Sequence, residues 1–317
     1  MALTSRISLV GPPAESPEDF LMTSLGVIFP DDVTNQHGDA DHGIQYASPH
    51  LQKPLLFELA EPSADDDRKL FSHYLWNASL QLGEFVEAAA LELDGAVTSR
   101  LGPPTSHFDV RGKTTLELGA GTALPSIMAA LLGADRVAVT DYPAPAVLKT
   151  LRANAARNVD PAVSPKNTIK AREVMVEGHS WGELEDSFSV SNRHAFDRVF
   201  VADCLWMPWQ HTNLHKSIDW FLRNDSEARC WVIAGFHTGR AKMRDFFGEA
   251  ALAEAGLEIE TIWERDCDGQ EREWAWDRGF EDATIRKRWL ACAVLKRKTA
   301  SGSDGVGVGA GGAAVDA

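Results

Sequence analysis

Four cysteines among 317 residues (Cys204, Cys230, Cys267 and Cys292) are too few and too scattered to frame a disulfide-bonded scaffold. With no C-x-x-C pair, they form no zinc-ligand pattern either, so no metal site is expected. They read as reduced thiols of a cytoplasmic chain, the nucleus being the other reducing compartment. No uninterrupted apolar run approaches the roughly 18 residues that a membrane helix needs. The N-terminus has no basic start followed by an apolar block, so neither a secretory leader nor a membrane partner is expected. Positive charge is also short: 31 Lys and Arg against 46 Asp and Glu leave a net charge of −15. That balance excludes a general nucleic-acid binder, which needs a basic face against phosphate. It allows a basic substrate to be steered in, although solubility alone also accounts for acidic charge. There is no internal repeat. What remains is an ordinary globular composition, 44% hydrophobic and 24% charged, long enough for one large α/β domain with appendages.

Residues 1–24, rich in Pro, Ser and Glu, are expected to be a flexible N-terminus. An N-terminal extension over 25–112 follows, with an apolar anchor at Val27-Ile28-Phe29. It also holds short strands at Ile44-Gln45-Tyr46 and Leu55–Leu59. Leu75, Leu82, Phe85, Val86, Ala89 and Leu93 recur at helical spacing, so a helix is expected over 71–93. Across 113–298, strand patterns at 114–118, 136–140, 172–176, 197–202 and 229–234 alternate with helical patterns at 125–132, 144–157, 211–223 and 241–255. Two last strands, at 258–263 and 288–295, have no helical pattern between them and suggest an antiparallel edge. The fold class is therefore α/β, a doubly wound, mainly parallel sheet of seven strands. The Gly/Ala tail over 299–317 cannot bury enough apolar surface to offset its ordering entropy, and disorder is expected there.

In such a sheet the ligand lies at the carboxyl ends of the strands. The first strand ends in Glu117-Leu118-Gly119-Ala120-Gly121-Thr122. A dinucleotide fingerprint needs a third glycine where this chain has Leu124. An acid two residues before the first glycine suits S-adenosylmethionine better, because that ligand has an α-amino group for Glu117 to hold and no pyrophosphate. The second strand ends in Asp141, able to accept ribose hydroxyls or to cap the helix that opens after Pro143. After the third strand Trp181, between Gly178 and Gly182, can lie against an adenine or merely cover the sheet edge. The fourth ends in Ala202-Asp203-Cys204-Leu205-Trp206. Asp203 can orient or deprotonate an amine and Trp206 can wall its pocket; a loop cap and a core aromatic are the bland readings. Trp76, at the start of the N-terminal helix, can reach back over the methionine end of the cofactor. His211, at a helix start, reads as structural.

These motifs resemble the family-16 methyltransferases. The pattern is Leu75-Trp76-Asn77-Ala78, then Leu116–Thr122, Thr140-Asp141-Tyr142-Pro143, Trp181-Gly182, and Ala202-Asp203 with an aromatic three residues on. The family includes calmodulin-, chaperone- and elongation factor 1A-lysine methyltransferases. Leu205–His211 and Glu271-Arg272-Glu273-Trp274 are similar to its fungal elongation-factor and nicotinamide N-methyltransferase-like branch. The resemblance spans about residues 20–298 and makes 113–298 the methyltransferase domain. It implies that Trp76, Gly119, Ala120, Gly121, Asp141, Trp181 and Ala202 contact S-adenosylmethionine. Trp206 stands where protein-lysine members usually carry tyrosine, and Ala123 where a glycine is frequent. The function so implied is N-methylation of a protein amine, a lysine or N-terminus, with a translation elongation factor as the partner. The alternatives are a small nicotinamide-type amine as acceptor, a cofactor-binding scaffold without catalysis, and an NAD oxidoreductase.

Overall fold

The computed structural model describes residues 2–11, 35–38, 42–60, 74–93, 99–236 and 238–298. The apolar anchor at 27–29 and the Gly/Ala tail at 299–317 lie outside the described residues. Among the described residues no helix is long and apolar enough to cross a membrane.

The N-terminal part contributes β1 (Ile7–Val10), β2 (Gln36–His37), β3 (Gly43–Tyr46), β4 (Leu55–Phe57), β5 (Leu75–Trp76) and helix α1 (Asn77–Ala90). Next come β6 (Thr114–Leu118), α2 (Leu124–Leu131), β7 (Arg136–Asp141), α3 (Pro145–Asn158), β8 (Glu173–Gly178), α4 (Ser187–Ser191) and β9 (Arg198–Ala202). The chain closes with α5 (His211–Phe221), β10 (Arg229–Gly235), α6 (Arg240–Met243), α7 (Glu249–Glu254), β11 (Leu257–Asp266), β12 (Glu271–Glu273), α8 (Ala283–Arg286) and β13 (Trp289–Arg297).

One eight-stranded sheet runs β12-β11-β13-β10-β9-β6-β7-β8. Strands β6 to β10 pair in parallel, whereas β13 pairs antiparallel with both β10 and β11. Alternate side chains serve two cores, as the two-residue period of a strand requires. Val137, Val139, Phe200 and Trp231 pack under α1, α2 and α3, while Leu116, Leu118, Val199, Val201 and Val232 pack under α5 and α7. The expected antiparallel edge is present, with β12 added to make eight strands where seven were expected. Its Glu-Arg-Glu sequence has no apolar pattern to announce it; ion pairs hold it, Glu271 to Arg265 at 2.7 Å and Arg272 to Glu264 at 2.6 Å.

Two helices differ from their sequence patterns. The helix expected at 71–93 begins only at Asn77, because Leu75 and Trp76 pair antiparallel with Gln36 and His37; residues 71–73 lie outside the described residues. The pattern at 241–255 breaks at Gly248 into α6, a 3-10 turn (Arg244–Phe247) and α7, with Phe246 and Phe247 turned into the core. The expectation of a flexible N-terminus also gives way over its first residues. Leu3 is buried and β1 pairs with β3, while 12–24 lies outside the described residues. The small β1-β3-β4 sheet is fastened to α3 by side-chain amides: Asn154 and Asn158 each bond both backbone groups of Glu58 and Leu56, at 2.8–3.0 Å.

Candidate active site

Strand order reverses between β6 and β9: the chain runs outward through β7 and β8, then returns to the other side of β6. At that switch point the carboxyl ends of four parallel strands leave a crevice. A cavity of about 250 Å³ fills it.

Its floor is the turn after β6. Gly119, Gly121 and Ala123 take φ values of +69°, +55° and +65°, so three residues in five are left-handed. Such a turn favours glycine, and Ala123 takes the strained conformation that opens α2. A Cβ on Gly119 would lie 2.7 Å from Cys204 Sγ and 3.0 Å from the Trp181 ring, so this position also needs glycine for space. The turn is pinned from β7: Ala120 N–H donates to Thr140 O (3.0 Å), and Gly121 N–H to Asp141 Oδ2 (2.8 Å). Asp141 Oδ1 accepts the Tyr142 N–H at 2.7 Å. The cap of α3 is Ala144, with no side-chain bond, so Asp141 is no helix cap. Burial raises the Asp141 carboxyl to about 6 despite its two backbone donors.

Of the residues named from the sequence, Trp76, Gly119, Ala120, Gly121, Asp141, Trp181, Ala202, Asp203 and Trp206 line this one cavity. Glu117 does not, which corrects its assignment as the grip on an amino group. Its carboxylate is buried behind the turn, where Oε2 accepts both Ser126 N–H (3.0 Å) and Ser126 Oγ–H (2.5 Å). Oε1 has no partner, and burial raises the acid to about 8. Enclosed there, Glu117 ties β6 to α2 through Ser126.

The opposite wall comes from β9. Asp203 is left-handed at φ +61°, a conformation uncommon outside glycine and most accessible to Asn and Asp. It is held on both sides by β10: its N–H donates to Ile233 O (2.8 Å), and its Oδ1 accepts Gly235 N–H (3.0 Å). Trp206 stands edge-on to Trp209, ring centres 6.5 Å apart. His211 Nε2–H donates to Leu205 O, 3.0 Å away; the residue is absent from the lining, and burial lowers its basicity.

Sequence reasoning did not single out Tyr74, Tyr142, His179, Gln210 or Asn213, which also line the cavity. Tyr74 sits edge-on to Trp76 at 6.1 Å, and Tyr142 directly follows Asp141, so adjacency to a named residue was the available signal. His179 is buried, with Nε2 2.9 Å from Ser217 Oγ, and burial lowers it to about 4. Ser217 Oγ also accepts Gly182 N–H (2.9 Å), which fixes the turn carrying Trp181. Pairing across from α5 is a tertiary fact with no sequence pattern.

The cavity fits S-adenosylmethionine. A glycine that only a bare backbone can occupy forms its floor, a buried carboxylate stands at the end of the adjacent strand, and aromatic rings wall it.

A family model described as lysine methyltransferase matches residues 64–252. The protein N-terminal and lysine N-methyltransferase EFM7 of Gibberella zeae is 31% identical over 225 residues, covering 68% of this chain and 75% of that protein. The namesake in Schizosaccharomyces pombe is 29% identical over 235 residues, 70% of this chain and 82% of that one. The Yarrowia lipolytica namesake is 28% identical over 231 residues, covering 69% and 76%. With that match laid over the cavity and the strands that build it, the chain belongs to the lysine methyltransferase family, enzymes that draw their methyl group from S-adenosylmethionine.

Proposed function

We propose that the chain methylates a protein amine, a lysine side chain or an N-terminus, and that its partner is a translation elongation factor. The observation that carries the reading is Asp203: a carboxylate in a rare backbone conformation, fixed by β10, facing a cavity walled by Trp206. The activity for which the Gibberella, Schizosaccharomyces and Yarrowia relatives are named supports it.

In this reading Trp76, Gly119 to Gly121, Asp141, Trp181 and Ala202 hold the cofactor. Asp141 accepts the ribose hydroxyls, since each carboxylate oxygen keeps acceptor capacity beyond its one backbone donor. Bound S-adenosylmethionine supplies an activated methyl on a sulfonium. An amine can take that methyl only with a neutral lone pair, so it must shed a proton and point the right way. Asp203 accepts an N–H of the amine, orienting the lone pair, and can hold the proton that is shed. Because Gly235 fixes Oδ1, the carboxylate is oriented before the amine arrives. Trp206 excludes water and stabilises positive charge on the methylated nitrogen through its ring face. The four free thiols fit a reducing compartment, and we assign the activity to the cytoplasm.

The test presents purified elongation factor 1A and nicotinamide side by side with labelled S-adenosylmethionine. Label in the protein supports the reading; label in nicotinamide alone contradicts it. Calorimetry with S-adenosylhomocysteine and NAD should give heat with the first only.

A further inference from the structure

The turn after β8 is held by more than its own backbone. It runs His179-Ser180-Trp181-Gly182, and its first N–H, from His179, donates to Asp141 O at 2.8 Å. Gly182 closes it at φ +83°, where a Cβ would lie 2.8 Å from Asn213 Oδ1, so the turn is pressed onto α5. Between these ends Trp181 lies against the Gly119 floor of the cavity.

The side chains behind the turn fix where their protons are. Ser217, on α5, is fully buried. Among the described residues its Oγ meets two groups, Gly182 N–H and His179 Nε2, each at 2.9 Å. The backbone N–H can only donate, so it takes a lone pair of Oγ. The hydroxyl proton then needs an acceptor, and Nε2 is the one in reach. With the opposite tautomer, Gly182 N–H and Nε2–H would both point at Oγ, and a buried hydroxyl proton would be left unpaired, which is costly. An accepting Nε2 puts the imidazole proton on Nδ1, which faces Ser189 Oγ at 3.4 Å. Ser189 Oγ–H donates in turn to Asp186 Oδ2 at 2.6 Å, the carboxylate that caps α4. Phe221 of α5 packs edge-on against the same imidazole, ring centres 5.1 Å apart.

We propose that His179, with its proton on Nδ1, is a positioning residue. By taking the Ser217 hydroxyl proton, Nε2 turns a lone pair of Oγ toward Gly182 and so sets the Trp181 ring for the cofactor's adenine. The inference rests on Trp181 as the adenine wall. It goes beyond that reading by naming what places the ring before the cofactor arrives. An unlocked turn must be ordered on binding, and that ordering is lost from cofactor affinity.

Two measurements on the full chain test it. In spectra of the histidine-15N-labelled chain with S-adenosylhomocysteine bound, the signals missing from His179→Gln belong to His179. Near neutral pH its Nε2 is expected bare and its Nδ1 protonated; the reverse tautomer or a charged ring would overturn the proposal. Calorimetry then gives Kd for S-adenosylhomocysteine. His179→Leu removes the acceptor and weakens binding about tenfold, whereas His179→Gln, whose Oε1 can stand in for Nε2, stays within about threefold. Ser217→Ala takes away a single oxygen and should match the leucine loss, which keeps the comparison if leucine prevents folding. In a Trp181→Ala chain neither substitution should change Kd by more than about twofold, because the ring they position is gone. Equal losses with glutamine and leucine, parental affinity in Ser217→Ala, or an undiminished loss without Trp181 would each overturn the proposal. Parental affinity in Trp181→Ala alone would remove the adenine reading and with it the role, while the tautomer is still decided by the spectra.

Discussion

Two buried carboxylates twenty-four residues apart in sequence, Glu117 and Asp141, have their acidity weakened by the same cause and yet act differently. Asp141 borders the cavity, with a carboxyl raised to about 6. If Asp141 holds the ribose as proposed, the hydroxyls donate to the ionised form and binding favours loss of its proton. Affinity for S-adenosylhomocysteine is therefore steady above neutral pH and falls below pH 6, by about tenfold per unit. Calorimetry across pH 5–8 checks this, and Asp141→Asn should bind more weakly with no break. Glu117 is enclosed. Its folded-state value of about 8 lies above the ordinary carboxylate range, so between roughly pH 4.5 and 8 the folded chain holds a proton that the unfolded chain has lost. Stability is thus lost as pH rises through that window. Glu117→Gln cannot ionise, and its stability relative to the parent should grow by on the order of 3 kcal/mol from pH 5 to pH 8. Urea melts at both pH values measure this; a constant difference would show that Glu117 ionises freely. The acid at position 117 was legible in the sequence, but its role was not. Which oxygen meets Ser126 depends on how α2 packs behind the turn, and residue spacing does not carry that.

The elements built from apolar periodicity were the legible ones. Strands β6, β7, β9 and β10 alternate between two cores and so write a two-residue period into the chain; their expected and observed ends differ by a residue or so. Strand β12 is charged throughout and held by ion pairs, and β5 exists only because residues 36 and 37 pair with it. Neither leaves a local pattern. The attachment of the N-terminal sheet is likewise tertiary, through two asparagines one turn apart on α3. Asn154 is fully buried, and Asn154→Ala leaves both backbone groups of Glu58 without their partners. That substitution should cost about 2 kcal/mol. Limited proteolysis should then open the chain in the N-terminal 60 residues while α3 and the main sheet stay protected. Uniform sensitivity across the chain would contradict an attachment at this point.

At the scale of the molecule, one topological fact organises the rest. The chain reverses direction between β6 and β9, and residues far apart in sequence, such as Trp76, Gly119, Asp141, Trp181 and Asp203, reach one crevice. Most of the crevice was readable because strand ends are readable. The residues that come to it from helices, Gln210 and Asn213, were not, since a helix face shows its neighbours only after packing.

The measurement that bears most directly on the central claim is site-mapped methylation of purified elongation factor 1A by the parent chain and by Asp203→Asn. Asparagine keeps the left-handed backbone and an acceptor for Gly235, and removes only the charge. The account predicts methyl groups on a lysine side chain or the N-terminal amine with the parent. For the variant it predicts a rate about a hundredfold lower, with affinity for S-adenosylhomocysteine unchanged. Methylation of nicotinamide alone, or an Asp203→Asn enzyme as fast as the parent, would contradict it.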